Sequence, residues 1–260
     1  MEHHERALAA YVEQVAGDPE TLGVVLIGSL ARGAEREDSD VDVYLVVTAE
    51  AFARATAEDR WAWIDRKDID YPGSYIDVKL ADLAYLRTAV SRADDPTRAS
   101  FAGARVAFSR VAELAELVAA ISELDDDIWA GRIRSHVAQA HLHGGYFLRQ
   151  AEEHKDPFLL QHASLHLALA AARAAFAADR RLMPGPKYVH GLVREVPSPD
   201  GFADAWDRVL TVPGTDSGNA LIAILDGWLG RGQTHLDSLS IFIRDNELAW
   251  LRGTIPAEYF

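Results

Sequence analysis

The 260-residue sequence contains no cysteine, which excludes a disulfide framework and any thiolate metal site. No apolar run approaches the roughly 20 residues that a membrane-spanning helix needs. The first twenty residues, MEHHERALAAYVEQVAGDPE, lack the basic start and apolar segment of a secretory signal, so a cytoplasmic protein is expected. Positive charge is also scarce. Lys and Arg number 26 against 40 Asp and Glu, a formal net charge of −14. Such a chain repels polynucleotide backbones, whose binding relies on clustered Lys and Arg, so a nucleic-acid substrate is disfavoured. A hydrophobic fraction of 49% with 25% charged residues is that of an ordinary globular protein with a sizeable core.

The informative stretch is TLGVVLIGSLARGAEREDSDVDVYLVVT, residues 21–48. Residues 22–27 and 41–47 read as two short buried strands, because β-branched residues dominate and turn residues bound both. Between them, Gly28 permits close backbone approach. The residues after Ser29 can open a short helix whose free N–H groups suit a phosphate. A Walker-type phosphate loop is excluded, because Gly33 is followed by Ala34 and Glu35 rather than by Lys-Ser/Thr. Asp40 and Asp42 stand two apart at the entry of the second strand and so project from one face. Adjacent carboxylates repel unless cations neutralise them, and Mg²⁺ takes oxygen ligands of this sort together with substrate phosphates.

Along the rest of the chain, Leu8, Tyr11, Val12 and Val15 mark an amphipathic first helix that stops at Gly17-Asp18-Pro19. Residues 50–66 read as a helix with Phe52, Thr56 and Trp63 on one face, and residues 70–73 as a turn. Residues 74–80 alternate, with Ile76, Val78 and Leu80 on one face and Tyr75, Asp77 and Lys79 on the other. Asp77 is thus a third acid on a strand. Asp82 is a helix cap, residues 104–109 form another strand, and Val111, Leu114, Leu117, Val118 and Ile121 form a helical stripe. The acidic residues 123–127 read as a helix start, favoured by its dipole.

From residue 125 the pattern is helical, and the domain boundary is placed between residues 123 and 124. Helices are expected to about residue 154, from 157 to about 182, and over 202–210, 219–229 and 234–250. Met183-Pro184-Gly185-Pro186 breaks the second of these. His162 and His166, four apart, share a helix face, whereas His141 and His143 point apart. None has the His-Glu-x-x-His context of a zinc protease, so they read as surface or packing residues without a zinc site. Arg180, Arg181, Lys187 and Arg194 make a basic cluster around the break, and Lys187 is its first choice as a triphosphate contact.

Taken together, Gly28-Ser29, Arg32-Gly33, Ser39-Asp40-Val41-Asp42 and Asp77 resemble the nucleotidyltransferase superfamily that includes DNA polymerase β and the aminoglycoside and minimal nucleotidyltransferases. The likeness covers residues 22–109. Beyond them it rests on Pro186-x-Tyr188 around Lys187, similar to a lysine-aromatic element of antibiotic-modifying members. The resemblance implies an α+β fold: a catalytic domain (residues 1–123) with a small mixed sheet and helices, then an all-α substrate-binding bundle (residues 124–260). It implies that Asp40, Asp42 and Asp77 bind two Mg²⁺ ions, with ATP as co-substrate. Gly28 and Ser29 would hold the β- and γ-phosphates, Ser39 assisting, and Arg32 counts with the nucleotide-binding residues. The expected reaction is AMP transfer to a hydroxyl of a small molecule such as an aminoglycoside or lincosamide-like antibiotic, as in antibiotic resistance, with release of pyrophosphate. A protein AMP-transferase of the antitoxin type, or a nucleotide-binding protein without turnover, is the alternative. An active fused toxin does not fit, because Arg132 and Arg134 lack Arg-x4-His spacing to His136 and His141. No feature sets the oligomeric state, and a homodimer is compatible with the sequence.

Overall fold

The computed structural model of the protein describes residues 1–67, 71 and 75–259. These form two compact units, one within residues 1–93 and 97–123, the other within residues 94–96 and 124–259.

The first unit is built on a five-stranded mixed sheet in the order β3-β4-β2-β1-β5. Its strands are β1 (Thr21–Leu26), β2 (Val41–Val47), β3 (Ala62–Asp65), β4 (Ile76–Asp82) and β5 (Arg105–Ser109). β1 runs antiparallel to both β2 and β5, β3 antiparallel to β4, and β2 parallel to β4. Alternation along β1 sends Val24 and Leu26 to one face and Val25 and Ile27 to the other, and both sets are fully buried because helices cover both faces. On one side α1 (Glu2–Ala16) inserts Ala7, Leu8 and Tyr11. On the other, α4 (Leu83–Arg92) and α6 (Leu114–Ile121) bring Leu86, Ala89, Leu114, Val118 and Ile121. Two short helices complete the early chain, α2 (Gly28–Ala31) and α3 (Ala49–Ala57), and α5 (Asp95–Phe101) follows α4. The Asp82 carboxylate accepts the Tyr85 N–H at 2.6 Å, as a cap of α4 should.

Residues 50–66 are not one helix. α3 ends at Ala57, and Ala62–Asp65 is the edge strand β3. The helical spacing of Phe52, Thr56 and Trp63 is coincidental, and the β-branched and aromatic content of Trp61, Trp63 and Ile64 decides the strand. The expected turn at residues 70–73 lies outside the described residues except for Tyr71.

The second unit is helical: α7 (Asp126–Ala140), α8 (Leu148–His154), α9 (Pro157–Ala178), α10 (Pro186–Glu195), α11 (Phe202–Thr211), α12 (Thr215–Trp228) and α13 (His235–Phe242). A π-helical segment, His141–Phe147, joins α7 to α8 without a break, and a second one, Ile243–Glu247, follows α13. Short 3₁₀ turns at Trp250–Arg252 and Ala257–Tyr259 end the chain. Pro157 opens α9 behind the cap Asp156, whose carboxylate accepts the N–H groups of Phe158 and Leu159 at 3.0 Å. The alanines 170–172, 174 and 175 are buried, and their small side chains let α9 pack most extensively against α7. The Trp206 indole N–H donates to the Ala168 carbonyl at 2.7 Å inside this core.

His136, on α7, is buried, and burial followed by the charges of Arg173 and Arg132 holds its pKa well below 6.5. In the unfolded chain the same imidazole takes up a proton near pH 6.5, so the unfolded state binds more protons below that value. The stability it contributes is complete above its unfolded pKa and is lost as the pH falls through it. Thermal unfolding followed from about pH 8 to about pH 5 should show an acid-side fall in Tm that His136→Gln makes shallower. An equal slope in the variant would contradict the assignment.

Candidate active site

Three acidic residues lie where β2 and β4 begin. The parallel pairing sets Asp42 directly opposite Asp77, so the period of two in each strand brings their carboxylates to one face. Asp40 precedes β2 by one residue, and the Tyr75 phenol, one residue before β4, hydrogen-bonds to its carboxylate. That bond and the charge of Asp40, then burial, then the charges of Asp77 and Asp42, raise the Tyr75 pKa above its usual value. All three acids therefore act on one phenol.

Lys79, two residues beyond Asp77 on the same face, places its ammonium 3.9 Å from Asp42 Oδ1 and 3.8 Å from Asp77 Oδ2. This partly exposed ammonium thus bridges the two acids that pair across β2 and β4. The donors are carboxylate oxygens without imidazole or thiolate, a set that fits a hard divalent cation and does not favour a softer one. Strand alternation puts Lys79 beside Asp77 in the sequence, but its bridging position depends on the β2–β4 register, which alternation does not give.

Gly28 is fixed by the same carboxylate. Its φ is +75°, and a Cβ there would lie 2.1 Å from Asp42 Oδ2 and 2.8 Å from Asp42 Cγ. Only glycine lets the backbone after β1 lie this close to the acid. The approach is held by the Ile27 N–H, which donates to the Asp42 carbonyl at 3.0 Å. Ser29 and Arg32 lie in and just after the one-turn helix α2, where the N–H groups of Arg32 and Ala34 both close onto the Ser29 carbonyl, at 3.2 and 3.0 Å. Ser39 closes the loop that delivers Asp40. Its hydroxyl accepts the Arg36 N–H at 2.9 Å, while its own N–H returns to the Arg36 carbonyl at 3.1 Å. The N-terminal ammonium bonds Glu35 at 2.5 Å and His3 contacts the Glu37 carbonyl at 3.0 Å, tying α1 to this loop.

In the helical unit, Lys187 sits in the first turn of α10, its ammonium 4.9 Å from the centre of the Tyr188 ring. The Pro-rich break thus also starts a helix, since proline suits the first helical position. The neighbouring cations are neutralised: Arg180 by Asp126 at 2.7 Å, Arg181 by Glu195 at 3.2 Å and Asp179 at 3.3 Å, and Arg194 by Asp207. Among the described residues, Lys187 pairs with no carboxylate.

The site thus combines a central strand entered by Asp-x-Asp, a third acid in register on β4 and a glycine turn pressed on Asp42. Residues 10–93 match the nucleotidyltransferase domain family. The match lies within the N-terminal unit and supports a likeness to the nucleotidyltransferase superfamily, whose domains generally use a nucleotide substrate and a divalent metal. The chain is also similar to the crystal structure of a nucleotidyltransferase-like protein from Exiguobacterium sibiricum, with 13% identity, 93% of this chain and 79% of that chain covered, and a TM-score of 0.49. No curated protein matches the chain. Among the described residues, no helix is long and apolar enough to cross a membrane.

Proposed function

We propose that the protein transfers AMP from ATP to a hydroxyl of a small molecule and releases pyrophosphate. The observation that carries the reading is the Asp42–Asp77 pair in strand register with Gly28 pressed against Asp42. Asp40, Asp42 and Asp77 would hold Mg²⁺, which when bound supplies positive charge for the phosphate oxygens. Gly28 and Ser29 would hold the β- and γ-phosphates, with Ser39 assisting and Arg32 among the nucleotide-binding residues.

The acceptor oxygen attacks the α-phosphorus as the bond from that phosphorus to the pyrophosphate oxygen breaks. The hydroxyl proton passes to a carboxylate, Asp77 or another acid near the acceptor, and pyrophosphate leaves with the electron pair of the broken bond. The protein's contribution is mainly position and charge.

A small cationic acceptor, of the aminoglycoside kind, is supported by the net charge of −14, which attracts cations and repels polynucleotides. The helical unit contains a cavity of about 540 Å³ lined by His141, Tyr146, Arg149, His235 and Ser238, which has room for a small molecule. Incubating the purified protein with α-labelled ATP, Mg²⁺ and a panel of aminoglycosides, lincosamides and cell lysate tests the reading. Label on a small molecule is expected. Label on a protein band would instead make it a protein AMP-transferase, and no label would remove the enzyme reading.

A further inference from the structure

We infer that His143, His162 and His166 form a second metal site, in the helical unit, for a borderline divalent ion of the Zn²⁺ kind. Each imidazole offers one nitrogen, and the three nitrogens lie within 4.8 Å of one another. The residues come from two elements of one unit. His162 and His166 are one turn apart on the same face of α9, and His143 arrives from the π-helical segment 141–147. π-helical turns are uncommon and occur often at functional sites. This one is closely packed: a Cβ on Gly144 would meet Ile222 Cδ1 at 2.6 Å and Leu167 Cδ2 at 3.0 Å, so only glycine fits beside His143 without displacing those side chains.

A packed aromatic cluster is the competing description, since the His162 and His166 rings lie 4.1 Å apart and those of His143 and His166 4.8 Å. Two observations favour a ligand. The His143 ring is 2% exposed, and neither of its nitrogens has a hydrogen-bond partner of good geometry. Buried polar atoms in folded proteins are nearly always satisfied, and a metal bond satisfies this one.

The second observation is Glu258. Its Oε1 lies 2.6 Å from His166 Nδ1 and 3.4 Å from His143 Nε2. Metal-binding histidines commonly donate their other ring N–H to a carboxylate, which fixes tautomer and orientation. With Nδ1 of His166 engaged in this way, Nε2 is the nitrogen left to bind. Glu258 is itself held in place: Arg173 donates to its carbonyl at 2.5 Å, and its N–H donates to Asn246 Oδ1 at 2.8 Å. It is a positioning residue.

Three imidazoles with bonds of about 2.0–2.1 Å suit Zn²⁺, Co²⁺ or Ni²⁺ and leave a fourth position for water. This donor set is unlike that of the three aspartates, so the two sites select different ions. A bound ion would fasten the π-helical segment to α9, with Glu258 tying in the C-terminal turn.

The test uses untagged, full-length protein dialysed free of metal and titrated with Zn²⁺ and with Co²⁺ at a pH near 7.5, where imidazoles are neutral. One equivalent of Zn²⁺ should bind and raise Tm, and Co²⁺ should give the visible absorption of a low-coordinate nitrogen site. His162→Ala, at a partly exposed position, should weaken binding at least 100-fold, and Glu258→Gln by 10- to 100-fold. Asp42→Asn should bind Zn²⁺ as the wild type does. Well under one equivalent bound by folded wild type, or equal affinity in a folded His162→Ala, would overturn the assignment. Loss of Zn²⁺ binding in Asp42→Asn would overturn it too, by placing the ion at the aspartates.

Discussion

Replacing Asp42 by Asn should lower nucleotidyl transfer about a thousandfold or more and leave the fold intact. A metal clamp supplies several kcal/mol of transition-state charge stabilisation, and about 4 kcal/mol corresponds to that factor. The substitution is nearly isosteric, so the close contact with Gly28 survives and only the charge is lost. Because Asp42 stands opposite Asp77, removing its charge also relieves repulsion between carboxylates in the metal-free protein. The variant also loses the ion pair to Lys79, so the two effects oppose and Tm without metal should change little, while any Mg²⁺-dependent rise in Tm should disappear. Transfer at the wild-type rate by the folded variant would mean that Asp42 holds no catalytic metal.

Gly28→Ala should damage both stability and transfer. The new methyl would fall 2.1 Å from Asp42 Oδ2, at a backbone φ of +75° that side-chain-bearing residues rarely adopt. Asp42 must then rotate away, or the turn must move. Stability should fall by about 1–3 kcal/mol, read as a lower urea midpoint with an unchanged slope. A displacement of about 1 Å in a metal-holding carboxylate should cost on the order of 100-fold in rate. Ser29→Ala, which leaves the turn alone, separates this geometric effect from loss of a phosphate contact: it should retain the wild-type urea midpoint.

Both effects concern residues that are visible in the sequence, and the reason is local. Gly28, Asp40 and Asp42 lie within one strand-turn-strand passage, where a period of two and the turn residues determine which side chains share a face. Asp77 is legible for the same reason, because Ile76, Val78 and Leu80 are buried and so fix the opposite face of β4. What alternation cannot supply is register. That Lys79 bridges Asp42 and Asp77, and that Tyr75 reaches Asp40, follows only once β2 and β4 pair in parallel.

The elements that sequence patterns misplace have physical reasons of their own. β3 is an exposed edge strand, so burial imposes no alternation on it, and its aromatics imitate a helical stripe. The break at residues 183–186 is present, but the helix that Pro186 opens, α10, is missed, because at the first helical position its missing N–H costs nothing. Spacing along one helix joins His162 to His166 but gives no sign of His143 or Glu258. Those two are brought in by a π-helical turn and by the C-terminal segment, neither of which leaves a mark in hydrophobic periodicity.

The most direct test of the central claim follows two labels of ATP through one reaction with an acceptor identified from the panel. If the α-phosphorus is attacked, the α-label must appear on the acceptor and the γ-label in pyrophosphate, in equal amounts and only with a divalent metal. Recovery of the γ-label as orthophosphate or on the acceptor would contradict nucleotidyl transfer and make the protein a phosphatase or a kinase.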